Sequence, residues 1–292
     1  MAIARAFFDE SGTHDGEKNL CVAGYLFEGR ADEQFDSEWR QMLARYSLAY
    51  HHMREFGSSG EGIYKHLSWE DRERSRQEAI AIIQRYASCG FAFSIEKASL
   101  AEIVKDSLWT NGYAFLANQP FYGVERLLRG REQGLVDFVY EAGAEGWDEA
   151  LRVFNKAKAD PELEHQLRLG TFESAGKTKA TQLQAADLLS WSWLRERRRV
   201  DEGEKLGRHE EFRRLMKVPI DPHHWDAEAG KAIKWIKDVS AHGDVSFLQW
   251  LMAGDNQGKF VRWLMRAGPN ALDYFRDIYD RERTRIVRTQ LR

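Results

Sequence analysis

Asp9 closes a largely apolar run, AIARAFF (2–8), with Glu10 beside it. Glu141 closes LVDFVYE, and Asp187 lies in LQAADLLSW among Leu183, Ala185, Ala186, Leu188 and Leu189. A single acid at a strand end is ordinarily a turn or cap residue. Acids set against apolar surface are different, because a buried charge is unfavourable without a partner or a metal. Hard divalent cations such as Mg²⁺ or Mn²⁺ take oxygen ligands and keep several waters, so a few carboxylates suffice to hold one. Two such ions about 3.5–4 Å apart clamp the attacking and leaving oxygens of a phosphodiester. The chemistry this pattern points to is metal-assisted phosphoryl transfer, with no local spacing motif required.

Rigid elements must deliver such ligands. Residues 2–8 read as a strand, SGTHDGEKN (11–19) as turn formers and LCVAGYLF (20–27) as a second strand, together an antiparallel hairpin. Phe35, Trp39, Met42, Leu43 and Tyr46 recur at helical spacing over 33–48. Beyond the Gly/Ser-rich GSSGEG (57–62), Ser68 and Asp71 form a capping-box-like start to a helix reaching about residue 88. FAFSIEKA (91–98) alternates like a strand, and Ser99 with Glu102 opens a helical region to about Arg129. GLVDFVYEAG (134–143) is the next strand, EGWDEALRVFNKA is helical and LRLGTFES (167–174) is a fifth strand. TQLQAADLLSWSWLRERRR (181–199) is a strongly amphipathic helix. No strand is expected in 200–292, where Trp225, Trp235, Trp250 and Trp263 punctuate helix-like segments. The prediction is an α/β domain over 1–199, a mixed sheet flanked by helices, followed by a helical extension over 200–292.

Composition bounds the partners. With 43% hydrophobic and 12% aromatic residues in 292, the chain has bulk for a core, and wholesale disorder is excluded. Lys and Arg number 43 against 46 Asp and Glu, a formal charge of −3, so nucleic-acid binding must rest on a local patch. RERRR (195–199) and RERTRIVRTQLR (281–292) are the candidates; nearby glutamates make a solvated helical face the blander reading of 195–214. VPIDPHHWD (218–226) reads as a loop rather than a metal site, its two histidines being adjacent. Cys21 and Cys89 sit in apolar stretches and read as free thiols in a reducing compartment. Arg5 and Asp9 interrupt any N-terminal apolar segment, so neither signal peptide nor membrane association is expected, and the compartment reads as cytoplasmic.

FFDESG at 7–12, VYEAG at 139–143 and KTKATQLQAADLLSW at 177–191 resemble family 3800 of the domains of unknown function, over roughly residues 3–195. The resemblance implies a ribonuclease H-like fold and metal-dependent hydrolysis of RNA or DNA. It makes Asp9, Glu141 and Asp187 the metal-ligand and catalytic candidates, with Glu10 a second-rank acid directed to the opposite strand face. HHMREF (51–56) is similar to a His-containing element of the family; His52 either orients a water or contacts phosphate, or is a solvent-exposed loop histidine. Lys177 or Lys179 would bind phosphate or lie on the surface, and Gln184 would contact substrate or brace the core. The strand-end ligand is Glu where Asp is usual, and the fourth acid of the wider class has no motif here, Glu96 and Glu125 being the mid-chain acids nearest to that role. The alternative reading is a non-catalytic module that binds nucleic acid, or a protein partner through the helical tail.

Overall fold

Near-continuous apolar runs make strands that are covered on both faces. β1 (Ala2–Ser11) and β2 (Asn19–Glu28) pair antiparallel from Ala4↔Glu28 to Ser11↔Cys21. The chain leaves β1 at Gly12, φ +87°, where a Cβ would lie 2.1 Å from the Asn19 carbonyl oxygen; the glycine of DESG is required by the hairpin itself. The computed structural model describes residues 2–14, 16–57, 62–104, 111–128 and 134–226. Within them, β3 (Cys89–Glu96), β4 (Leu135–Glu141), β5 (Leu169–Ala175) and β6 (Ile220–Trp225) complete a six-stranded sheet of order β5-β4-β1-β2-β3-β6. β1 runs parallel to β4 and β4 parallel to β5, so the sheet is mixed, as expected.

Helices cover both faces. Against one face, Phe7, Tyr25, Phe27 and Val139 share a core with Phe35 and Trp39 of α1 (Ala31–Arg45), Ile80 and Ile83 of α3 (Trp69–Tyr86), and Leu183, Leu188 and Leu189 of α8 (Gln182–Asp201). A short helix, α2 (Met53–Gly57), and a 3-10 turn (Gly62–Tyr64) lie between α1 and α3 in the chain. The opposite face is aromatic. Phe8 stacks on Tyr140 at 5.1 Å, Phe121 of α5 (Gly112–Leu128) meets Phe138 at 4.7 Å, and Phe154 of α6 (Trp147–Lys158) stacks on Phe172 at 4.9 Å.

Contacts divide the chain into two compact units, Met1–Ser94 with Leu108–Pro222, and Ile95–Ser107 with His223–Arg292. The second is described at the end of β3, in α4 (Lys97–Val104) and at the end of β6, where Ser99 Oγ donates to Glu96 Oε2 at 2.9 Å. All residues of the candidate site belong to the first.

Several local expectations hold. The Ser68 side chain accepts from Asp71 N at 3.1 Å and starts α3, and both cysteines are buried, Cys21 as a free thiol. Others shift. β1 continues through Glu10 to Ser11 rather than ending on Asp9. The helical region expected from Ser99 to Arg129 is seen as α4 and α5, the residues between lying outside the described ones. A helix absent from the sequence reading, α7 (Pro161–Leu167), begins where Asp160 caps Glu162 N and Leu163 N with Pro161 in the first turn. No strand was expected after residue 199, and 218–226 read as a loop, yet after α9 (Glu210–Leu215) the segment 220–225 is β6. Its Pro222 is tolerated because β6 is at the sheet's edge, where one side of a strand needs no ladder donors. The rest of the extension, with Trp235, Trp250, Trp263 and the arginines of 281–292, lies outside the described residues, as does most of GSSGEG. No described helix is long and apolar enough to cross a membrane.

Candidate functional site

Parallel strands bring their carboxyl ends to one edge, and in open α/β sheets that edge is where ligands bind. Phe8 is level with Tyr140 and Tyr140 with Ser174, so Asp9, Glu141 and Ala175 come next at the same edge. Lys177 follows β5 by two residues. The chain then turns, with Lys179 N and Ala180 N donating to the Gly176 carbonyl, and returns as α8 packed across β1 and β2. That return brings Asp187 to the same point. The three acids expected to converge therefore do.

The centre of the group is the lysine. Lys177 Nζ lies 3.0 Å from Asp9 Oδ2, 3.1 Å from Glu141 Oε2 and 3.1 Å from Asp187 Oδ1, with its side chain 13% exposed. Neither the phosphate-binding nor the surface reading of the sequence anticipated this position; Lys179, by contrast, is exposed. Glu10 also differs from expectation. Although β1 runs through both residues, Asp9, Glu10 and Glu141 each present an oxygen within 4.8 Å of the others, the longer glutamate side chain making up for its opposite Cβ direction.

Electrostatics follow from four acids around one ammonium. Burial holds the Asp9 carboxyl well above the usual carboxylate range; the adjacent Glu141 carboxyl adds to this and Lys177 only partly offsets it. Glu10 is pushed up to about 7, by burial first and then by the Glu141 charge. Burial works against the charge on Lys177, but Asp9, Asp187 and Glu141 outweigh it and hold the ammonium above the ordinary lysine range. The cluster is thus short of positive charge. Both Asp9 oxygens and Glu10 Oε2 are buried without a hydrogen-bond partner, the Lys177 contact with Asp9 being an ion pair outside good hydrogen-bond geometry. An all-oxygen donor set with orphaned, buried carboxylate oxygens fits a hard divalent cation.

Asp187 is held from the other side. Its Oδ2 accepts from Met53 N at 2.7 Å, the backbone donor that follows His52. His52 Nε2 lies 3.7 Å from Asp187 Oδ1, and its Nδ1 lies 3.4 Å from Glu55 Oε1, which also accepts from Tyr50 Oη at 2.7 Å. His52 thus joins the acids, whereas its neighbour His51 turns inward, fully buried among Trp39, Phe56 and Tyr64. The Tyr50–Glu55 brace on His52 is a feature the sequence reading missed; its only trace is a Tyr and a Glu flanking the His pair.

Gln184 is wholly buried, and both ends of its amide are engaged within the chain. Its Oε1 accepts from Trp39 Nε1 at 2.9 Å and His51 N at 2.7 Å, and its Nε2 donates to the Lys177 carbonyl at 2.8 Å. Of its two sequence readings, this geometry corresponds to the core brace. Gln184→Leu leaves two buried donors and one acceptor without partners, so a loss of about 3 kcal/mol or more is expected in urea unfolding. A loss under about 1 kcal/mol would mean the amide is not the brace described.

The basic run at 195–199 is tied up locally. Arg197 pairs with Asp201 at 2.8 Å, Arg198 with Glu17, Arg199 with Glu204 at 2.7 Å, and Arg195 lies over the Trp191 ring. Asp187 precedes Arg195 by eight residues, roughly 12 Å along a helix. This arrangement matches the solvated-face reading. No protein-family model matches the chain, and no curated protein matches it.

Proposed function

We propose that the chain is a divalent-metal-dependent phosphodiesterase acting on nucleic acid, on the ribonuclease H-like arrangement that DESG and LQAAD suggest. The observation that carries this reading is the convergence of Asp9, Glu141 and Asp187, from β1, β4 and α8, at the carboxyl edge of parallel strands. The order β5-β4-β1-β2-β3, with an antiparallel hairpin first and parallel strands beyond it, supports the same class. Asp9, Glu10 and Glu141 would hold Mg²⁺ or Mn²⁺. When bound, the ion supplies Lewis-acid charge to the phosphodiester oxygens. Asp187 keeps Lys177 at the site, where its ammonium can neutralise a phosphate, and His52 stands within reach to accept or donate a proton. The free, buried thiol of Cys21 favours a reducing compartment such as the cytoplasm.

The test is cleavage of labelled single-stranded, duplex and hybrid RNA and DNA by the full chain. Cleavage is expected with Mg²⁺ or Mn²⁺, to fall about a hundredfold or more on chelation, and to return when Mn²⁺ is restored. Undiminished cleavage in chelator would overturn the reading. One observation favours the alternative, a non-catalytic binding module: an ammonium already stands in contact with three of the acids. Nucleic-acid affinity without Mn²⁺ binding at millimolar metal would select it.

A further inference from the structure

Resting on that metal-dependent reading, we infer that Lys177 is the resident second cation of the site. A single divalent ion then binds Asp9, Glu10 and Glu141, and Asp187 serves the lysine rather than the ion.

The contacts divide the cluster into two poles. One pole is poorly satisfied: Asp9, 1% exposed, has only the Lys177 ion pair on Oδ2 at 3.0 Å and no hydrogen-bond partner on either oxygen, and Glu10 Oε2 is buried without one. Asp9, Glu10 and Glu141 are also the described acids whose ligand atoms lie mutually within 4.8 Å. The other pole is occupied. Asp187 has Lys177 on Oδ1 at 3.1 Å and accepts at Oδ2 from Met53 N at 2.7 Å, so each of its oxygens already carries a donor. Between the poles the ammonium touches Asp9, Glu141 and Asp187, the point from which a second ion would bridge them.

Charge agrees with this division. With all four acids ionised, as ligation of an ion there requires, one ammonium leaves three negative charges; one divalent ion reduces that to one, whereas two would leave an excess of positive charge beside an ammonium already in place. The lysine's position is also built rather than incidental. Its carbonyl accepts from Gln184 Nε2 at 2.8 Å, and Gln184 is anchored in turn by Trp39 and the His51 backbone.

Calorimetric titration of the full chain with Mn²⁺, without nucleic acid, tests the inference. Wild type is expected to bind one ion. Lys177→Gln, if folded by circular dichroism, is expected to bind two, and Lys177→Arg, which keeps a cation, still one. Glu10→Gln is expected to weaken the ion by well over a hundredfold, Asp187→Asn by about ten- to a hundredfold, the range for a residue that supports the ligand set from outside. The Glu10 and Asp187 comparison decides the matter even if Lys177→Gln fails to fold. Two ions in wild type, one in a folded Lys177→Gln, or Asp187→Asn weakening the ion as much as Glu10→Gln would each overturn the inference while leaving metal dependence standing. No Mn²⁺ binding at millimolar concentration by folded wild type would overturn the metal-dependent reading and this inference together.

Discussion

Asp9→Asn is expected to lower metal-dependent cleavage roughly a thousandfold or more, and to do so without destabilising the metal-free protein. Asparagine is nearly isosteric, so the packing of β1 between β2 and β4 survives. What disappears is a charge and one acceptor oxygen, in a buried side chain whose two oxygens have no hydrogen-bond partner and whose one ion pair, with Lys177, is shared with Glu141 and Asp187. The stability sign follows from the same burial. Asp9's carboxyl is held well above its unfolded value, so its favourable contribution is complete at low pH and is lost as pH rises through the folded value. Near neutrality the wild type therefore carries an unfavourable buried acid that asparagine removes. The melting temperature of metal-free Asp9→Asn should equal or exceed that of wild type, with the advantage growing as pH rises. Cleavage equal to wild type would remove Asp9 from the chemistry; lost cleavage with lost folding would assign it a structural role instead.

The second large effect concerns pH. His51 is fully buried, its ring nitrogens have no hydrogen-bond partner, and burial lowers its pKa to about 4. The Asp187 charge opposes that shift, while His52 and Arg76 add to it. The folded protein keeps this imidazole neutral, whereas the unfolded chain protonates it below the ordinary value near 6.5. Stability is therefore unaffected above that value, falls as pH drops towards 4, and then levels off. A gap of about 2.5 pH units corresponds to roughly 3 kcal/mol. Glu10, whose carboxyl is raised to about 7, contributes in the opposite direction across part of this window, as does Asp9. Comparison with His51→Phe isolates the histidine. In urea unfolding between pH 7.5 and 4, wild type should lose about 3 kcal/mol relative to that variant. Parallel pH profiles would show that the imidazole is not kept neutral by the fold.

Local signals were legible in the sequence wherever one residue decides the outcome. Ser68 caps α3 because a hydroxyl satisfies an orphan amide, and the acids after the first apolar run mark a strand's edge. β6 was hidden by Pro222, which excludes a central strand but not an edge one. α7 carried a readable Asp-Pro-Glu start in a segment too short for periodicity to reveal. The acids were readable singly; their company was not. Lys177 reaches the centre only because β5 is in register with β4, which fixes where the chain stands two residues later. Sequence cannot supply that register. His52 was singled out from its neighbour His51 by the resemblance alone; nothing in two adjacent residues of one type shows that His51 enters an aromatic cage while His52 approaches the carboxylates.

The distance in sequence between the parallel partners β1 and β4 has a consequence for how the molecule comes into being. Pairing Phe8 with Tyr140 closes a loop spanning more than half of the described chain, a contact whose entropic cost must be met before it contributes stability. Asp187 and Lys177 arrive later still in synthesis. A nascent chain emerging amino-terminus first can form the β1–β2 hairpin early, yet no fragment ending before α8 contains the full set of acids. The centre therefore cannot assemble until that helix has been made.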